Sequence, residues 1–177
     1  MYMEEYFKQK IRNVPNFPKE GIMFRDITTL INDKESFRLG AEALYRFSND
    51  QQIDKVVGIE SRGFIFGGLL AHQLGAGLVL VRKPGKLPYK TLRQSYVLEY
   101  GEDILEIHTD AIKPGERILL HDDLLATGGT ARAACDLIEK AGGVVVQLSF
   151  IVELAFLGGK AKFEGYKVDS LVTYQGE

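Results

Sequence analysis

The densest chemistry in this chain lies in residues 117–130, Arg117-Ile118-Leu119-Leu120-His121-Asp122-Asp123-Leu124-Leu125-Ala126-Thr127-Gly128-Gly129-Thr130. An apolar run that reads as a buried strand delivers two adjacent carboxylates, Asp122 and Asp123, and a turn of small residues follows before a helical pattern begins. Without bulky side chains over Ala126, Thr127, Gly128, Gly129 and Thr130, successive backbone N–H groups can converge on an anion. The helix start adds partial positive charge, and Thr127 and Thr130 add hydroxyl donors. These groups make a phosphate cradle. Carboxylates at the carboxyl end of a strand, where open α/β sheets bind ligands, suit the vicinal hydroxyls of a ribose or a Mg²⁺ ion. A Gly-Gly pair alone would be a flexible turn; the order strand, acidic pair, small turn and helix favours the anion site.

Other nucleotide signatures do not fit. There is no Gly-x-x-x-x-Gly-Lys-Ser/Thr loop, and Gly75-Ala76-Gly77 precedes a strand pattern instead of opening a helix. His72, His108 and His121 stand apart from one another, without zinc-ligand spacing.

The elements that would position the cradle follow from periodicity. Val56-Val57-Gly58-Ile59, Leu78-Val79-Leu80-Val81, Ile118-Leu119-Leu120 and residues 144–152 read as strands buried on both faces. Asn32 with Glu35 reads as a capping box opening a helix whose face carries Phe37, Ala41, Leu44 and Phe47. Residues 64–74 form a second helical pattern stopped by Gly75, and Ala131, Ala134, Ile138 and Ala141 stripe a third, closed by Gly142-Gly143. Cys135 lies beside that stripe and reads as an inert core residue. Strands alternating with helices imply βαβ units, an α/β fold with a mostly parallel sheet flanked by helices. Two segments break the rhythm: the first 30 residues read as a short helix followed by an irregular flap, and residues 83–106 as a flexible lid loop.

The chain has 177 residues, a net charge of −2, 45% hydrophobic and 26% charged residues. These values fit a single globular domain over 1–177 and exclude disordered or fibrous chains. No run approaches the ~20 apolar residues of a membrane span, and the N-terminus carries no signal-peptide core. The single cysteine cannot make an internal disulfide, so a cytoplasmic setting is expected. The balance lacks the basic excess of a nucleic-acid binder.

Residues 118–130 resemble the phosphoribosyl pyrophosphate (PRPP) signature of the type I phosphoribosyltransferases. Four further stretches, in the same order, resemble the adenine phosphoribosyltransferase family: residues 16–28 (NFPKEGIMFRDIT), 60–64 (ESRGF), 81–88 (VRKPGKLP) and 95–101 (SYVLEYG). The resemblance covers nearly the whole chain. It implies a type I fold with a small hood over the site, and transfer of ribose 5-phosphate from PRPP to N9 of adenine, giving AMP and pyrophosphate with Mg²⁺ as cofactor. It implies that residues 126–130 hold the 5-phosphate and Asp122 and Asp123 the ribose hydroxyls, with the metal carried mainly by PRPP and in part by that acid pair. Glu60, Ser61 and Arg62, with a non-proline cis peptide at Glu60-Ser61, would bind pyrophosphate together with Arg82, Lys83 and Lys86. Met23, Phe24 and Arg25 would read adenine. Glu99 and Arg62 would act in catalysis, Glu99 as general acid or base beside the lid residue Tyr100. A homodimer is expected, with Arg82 reaching toward the partner subunit.

On residue type alone, each position has a plainer reading. Arg62 fits a surface helix start, Phe24 core, Arg25 an ion pair with Asp26, and Glu99 a solvent-facing hairpin position. His121 and Tyr89 depart from the aliphatic and small residues more usual in the family. The same fold could also serve hypoxanthine, guanine or xanthine, or a PRPP-sensing regulator. The regulator would want a basic face or an added segment, and the 14 residues before Pro15 and the charge of −2 supply neither.

Overall fold

The apolar runs form a five-stranded parallel sheet at the centre of the computed structural model, which describes residues 2–98 and 101–176. The strands are β3 (Lys55–Ile59), β4 (Gly77–Val81), β7 (Arg117–Leu125), β8 (Val144–Leu154) and β9 (Lys167–Tyr174), in the order β4-β3-β7-β8-β9. The first four match the expected strands. The fifth, β9, is half polar, and an edge position satisfies it with one neighbour.

Alternate residues of each strand feed two cores, as the two-residue period of a strand requires. Val57, Ile118 and Leu120 face α5 (Gly129–Lys140), while Val56 and Leu119 face α3 (Lys34–Ser48) and α4 (Gly63–Leu74). The start of α3 falls one residue later than the capping-box expectation. Asn32 closes the short helix α2 (Thr28–Asn32), so the extended residue that can cap is Asp33, whose carboxylate accepts from the Ser36 N–H at 2.9 Å.

Both irregular segments are more ordered than their composition suggests. After α1 (Tyr2–Lys10), strands β1 (Arg12–Pro15) and β2 (Met23–Asp26) pair antiparallel with Val14 opposite Phe24, so the flap is a two-stranded ribbon. At its tip the Asn16 side chain accepts from the N–H of Gly21, whose φ of +84° suits glycine. The second segment, expected to be a loop, is mostly a hairpin of β5 (Thr91–Leu98) and β6 (Gly101–His108), with Tyr96 opposite Asp103. Leu105 and Ile107 of β6 are buried in the α5-side core and root the hairpin beside the sheet.

Phe66 anchors α4 from the other side. It is fully buried, its ring lies 5.0 Å edge-on from Phe37, and its rim fills the space where a side chain on Gly40 would sit. Phe66→Ala is expected to lower unfolding free energy by about 3–5 kcal/mol, read by chemical denaturation.

Candidate active site

The carboxyl ends of β3 and β7 and the first turns of α4 and α5 converge on one cleft of about 330 Å³. Its floor is Asp122 and Asp123, each under a tenth exposed. The Asp122 carboxylate accepts from the Asp123 N–H at 2.8 Å. Burial first, and the neighbouring Asp123 charge second, push the Asp122 carboxyl well above the usual carboxylate range. One wall is the turn from Ala126 to Thr130, where Gly128, at φ +77°, lets the chain enter α5. A side chain at Gly128 would lie 2.7 Å from the Gly159 carbonyl oxygen, and one at Gly159 would overlap that of Ala126. The anion turn is therefore clamped from behind by a loop far along the sequence.

The opposite wall comes from β3 and α4. A side chain at Gly63 would meet Asp122 Oδ1 at 2.9 Å and the His121 carbonyl at 3.0 Å, so only glycine lets α4 start this close to β7. The preceding Arg62 donates from Nε to Asp123, and its guanidinium carbon lies 5.8 Å from the Phe24 ring centroid. The Glu60–Ser61 peptide before it is cis. Arg62 also borders a second, more apolar cleft of about 350 Å³, lined by Val14, Phe17, Phe24, Asp26 and Thr28. Phe17 and Phe24 meet edge to face at 5.1 Å. A polar anion cleft and an aromatic slot thus share one arginine as their common wall.

The sequence profile described as a phosphoribosyl transferase domain matches residues 27–171. An adenine phosphoribosyltransferase of Christiangramia forsetii is 56% identical over 167 residues, covering 94% of this chain and 98% of that one. The chain belongs to the phosphoribosyltransferase family. The crystal structure of adenine phosphoribosyltransferase from Rhodothermus marinus superposes with a TM-score of 0.93 at 53% identity, over 98% of this chain and 99% of that one. The Saccharomyces cerevisiae enzyme, solved with adenine and an imino-altritol bisphosphate, gives a TM-score of 0.90 at 38% identity, covering 96% and 98% of the two chains.

The residues singled out from sequence divide unevenly between the two clefts. Glu60, Arg62, Lys83, Asp122, Asp123 and residues 126–130 line the anion cleft. Ser61, Arg82 and Lys86 do not. Ser61 and Lys86 are exposed, and Arg82 lies 3.3 Å from the Glu60 carboxylate with its guanidinium carbon 5.9 Å from the Phe64 ring centroid. In β2, Phe24 faces the aromatic slot, whereas Met23 borders a hollow near the ribbon tip. Arg25 bonds Asn13 at 2.5 Å and stacks 4.0 Å over Tyr174, so the expected pair with Asp26 is not formed. Asp26 accepts from the Thr28 N–H at 2.9 Å. The side chains of Met23 and Arg25 are thus turned from the slot by strand alternation, and only their backbone groups can face a base there. Glu99 and Tyr100 lie outside the described residues.

Sequence reasoning did not identify Tyr96 and Asp103 as lining residues of the anion cleft, nor Phe17 and Asp26 of the slot. Tyr96 Oη donates to Asp103 at 3.2 Å, and Asp103 lies 3.0 Å from the Lys83 ammonium. The two-residue alternation of residues 96–100 was the available signal, but the hairpin register that sets Tyr96 opposite Asp103 comes from pairing. Cys135 is fully buried, and burial pushes its thiol up to about 12, consistent with an inert core position.

His121, in the strand just before the acid pair, is fully buried with Nδ1 2.8 Å from Ser149 Oγ. Burial lowers it from 6.5 to about 4, opposed in part by the Asp123 charge. The unfolded chain therefore takes up this proton first. The stability His121 contributes is complete above pH 6.5 and is lost as pH falls toward 4. His121→Leu is expected to flatten the stability profile over that window, removing up to about 3 kcal/mol of pH dependence, measured by denaturant titration at stepped pH.

Proposed function

We propose that this chain is an adenine phosphoribosyltransferase that moves the 5-phosphoribosyl group of PRPP to N9 of adenine, releasing pyrophosphate and forming AMP. The observation that carries this reading is the shared wall at Arg62, which sets an aromatic slot sized for a planar base against a cleft built for phosphates and a ribose. In this reading the N–H groups of residues 126–130 hold the 5-phosphate at the α5 start, and Asp122 and Asp123 accept from the ribose hydroxyls. The C1′–oxygen bond to pyrophosphate breaks and the C1′–N9 bond forms through an oxocarbenium-like state, whose positive charge the adjacent carboxylates favour. Lys83 and Arg62, which line the cleft, would face the departing phosphates, and Arg82 and Lys86 of the Lys83 loop would add positive charge.

Phe24 would stack on the base, and the outward backbone groups of the two-stranded ribbon at Met23 and Arg25 would read its edge, penalising a base that leaves them unpaired. Glu99 would hold or accept the purine ring proton, with Tyr100 beside it. The acid pair offers hard oxygen donors, and among the described residues no group of three or more His, Cys, Asp or Glu side chains could hold a metal alone. That donor set fits a Mg²⁺ ion sharing its coordination with substrate phosphates and water, where it would neutralise the leaving pyrophosphate. The buried lone thiol agrees with a cytoplasmic setting, and no helix of the described residues is long and apolar enough to cross a membrane.

AMP formation from adenine and PRPP with Mg²⁺ tests the reading, with hypoxanthine and guanine in parallel. Turnover of adenine alone is expected, and Glu99→Ala should lower kcat about 10²–10⁴-fold while leaving PRPP binding intact. Turnover of an oxopurine would keep the phosphate site and overturn the base assignment. PRPP binding without turnover of any base would favour a sensor.

Pairing of two copies is part of the same proposal. Edge strand β4, which ends one residue before Arg82, exposes Leu78 and Leu80 at 43% and 37%. An apolar edge with unpaired backbone groups is a surface that a second chain can cover. Leu80→Lys is expected to halve the mass observed by sedimentation velocity.

A further inference from the structure

Residues 82–86 carry Arg82, Lys83 and Lys86, yet this loop belongs to no helix and to no multi-residue strand. One residue ties it down at both ends. Glu106, in β6, exchanges backbone hydrogen bonds with Arg82, donating to its carbonyl at 2.7 Å and accepting from its N–H at 3.0 Å. Its side chain then reaches the far end of the turn, where Oε2 accepts from the Gly85 N–H at 3.2 Å. Gly85 holds a φ of +76°, a left-handed conformation that glycine adopts without strain.

Glu106 is 1% exposed, a costly place for a carboxylate unless its partners repay the lost hydration. Its partners are not core groups. Besides Gly85 there is Arg93 of β5, whose Nε lies 2.6 Å from Oε1, a contact of charge without an aligned hydrogen bond. Both side-chain contacts go to the loop and the hairpin, while the flanking Leu105 and Ile107 supply the apolar anchoring of β6. Nor does Glu106 line the anion cleft, so its charge is not spent on substrate. Between its two attachment points sits Lys83, whose N–H donates to Glu60 at 2.7 Å and whose ammonium lies 3.0 Å from Asp103, both of them cleft residues.

We propose that Glu106 is a positioning residue: by bridging Arg82 and Gly85 it holds the 82–86 turn so that Lys83 faces the pyrophosphate end of the cleft. This rests on the cleft being a PRPP site, and predicts a selective effect. Groups that act only by placing Lys83 should alter pyrophosphate and PRPP binding and leave the aromatic slot untouched.

Glu106→Asp keeps the charge but shortens the reach to Gly85, whereas Glu106→Gln keeps an oxygen for Gly85 and gives up the charge. Magnesium pyrophosphate binding by calorimetry and steady-state kinetics would be measured on both, beside the parent protein. The Asp variant is expected to raise the Kd for pyrophosphate and the KM for PRPP about tenfold, the scale of one hydrogen bond to a charged group. The KM for adenine and kcat should change less than about twofold, and the Gln variant should stay within about threefold of the parent on the same scale. An unchanged Kd in the Asp variant overturns the proposal, as does a loss spread equally over both substrates. A parent protein that binds magnesium pyrophosphate but makes no AMP would refute the adenine reading alone, and the Asp and Gln comparison would still decide Glu106. A parent that binds neither PRPP nor pyrophosphate refutes both.

Discussion

The missing side chain at Gly63 is the constraint on which the site depends. A single methyl group there would press on Asp122 Oδ1 and the His121 carbonyl, and α4 would have to retreat from β7. Its close approach lets Arg62 reach Asp123 and at the same time border the ribbon's aromatic slot. One backbone contact thus sets the spacing between the polar cleft and the aromatic slot, and in the proposed reaction that spacing would orient the reacting groups.

Electrostatics follow from the same contact. Asp122 and Asp123 are brought under cover side by side, and Arg62 neutralises one of them directly. Asp122, with no cation in hydrogen-bond contact among the described residues, is driven toward its neutral form by burial and by its neighbour. A cation or hydroxyl donors placed against the pair would favour the ionised form again. The cations around the cleft are held by acids in turn: Lys83 by Asp103, Arg82 by Glu60, Arg93 by Glu106. Such pairing limits mutual repulsion among these cations and fixes their side chains in place.

The two peripheral ribbons have a common logic. Each is a two-stranded antiparallel unit, which has marginal stability in isolation; the first is flanked by buried Ile11 and Ile27, and the second holds buried Leu105 and Ile107. The N-terminal ribbon carries Phe24 to the slot, and the second carries Tyr96 and Asp103 to the cleft. The central sheet, in turn, supplies the acid pair of the cleft.

By itself the sequence determined the α/β class, four of the five sheet strands, the three large helices and the carboxylate-turn-helix cradle. All of these are local patterns: apolar runs of strand length, a 3.6-residue stripe, and small residues where a turn must expose its N–H groups. Glu60, Arg62, Lys83 and the acid pair stood out by type, their expected roles came from resemblance, and Asp103 did not stand out. Tertiary structure alone decided which of them share a cleft. Asp103 meets Lys83 only through hairpin register, Gly159 meets Gly128 only because two distant loops close on each other, and Arg25 turns to Asn13 and Tyr174 instead of its sequence neighbour Asp26. Those contacts join positions far apart in the chain or on opposite faces of one strand, and composition carries no information about which pairing burial and register will select.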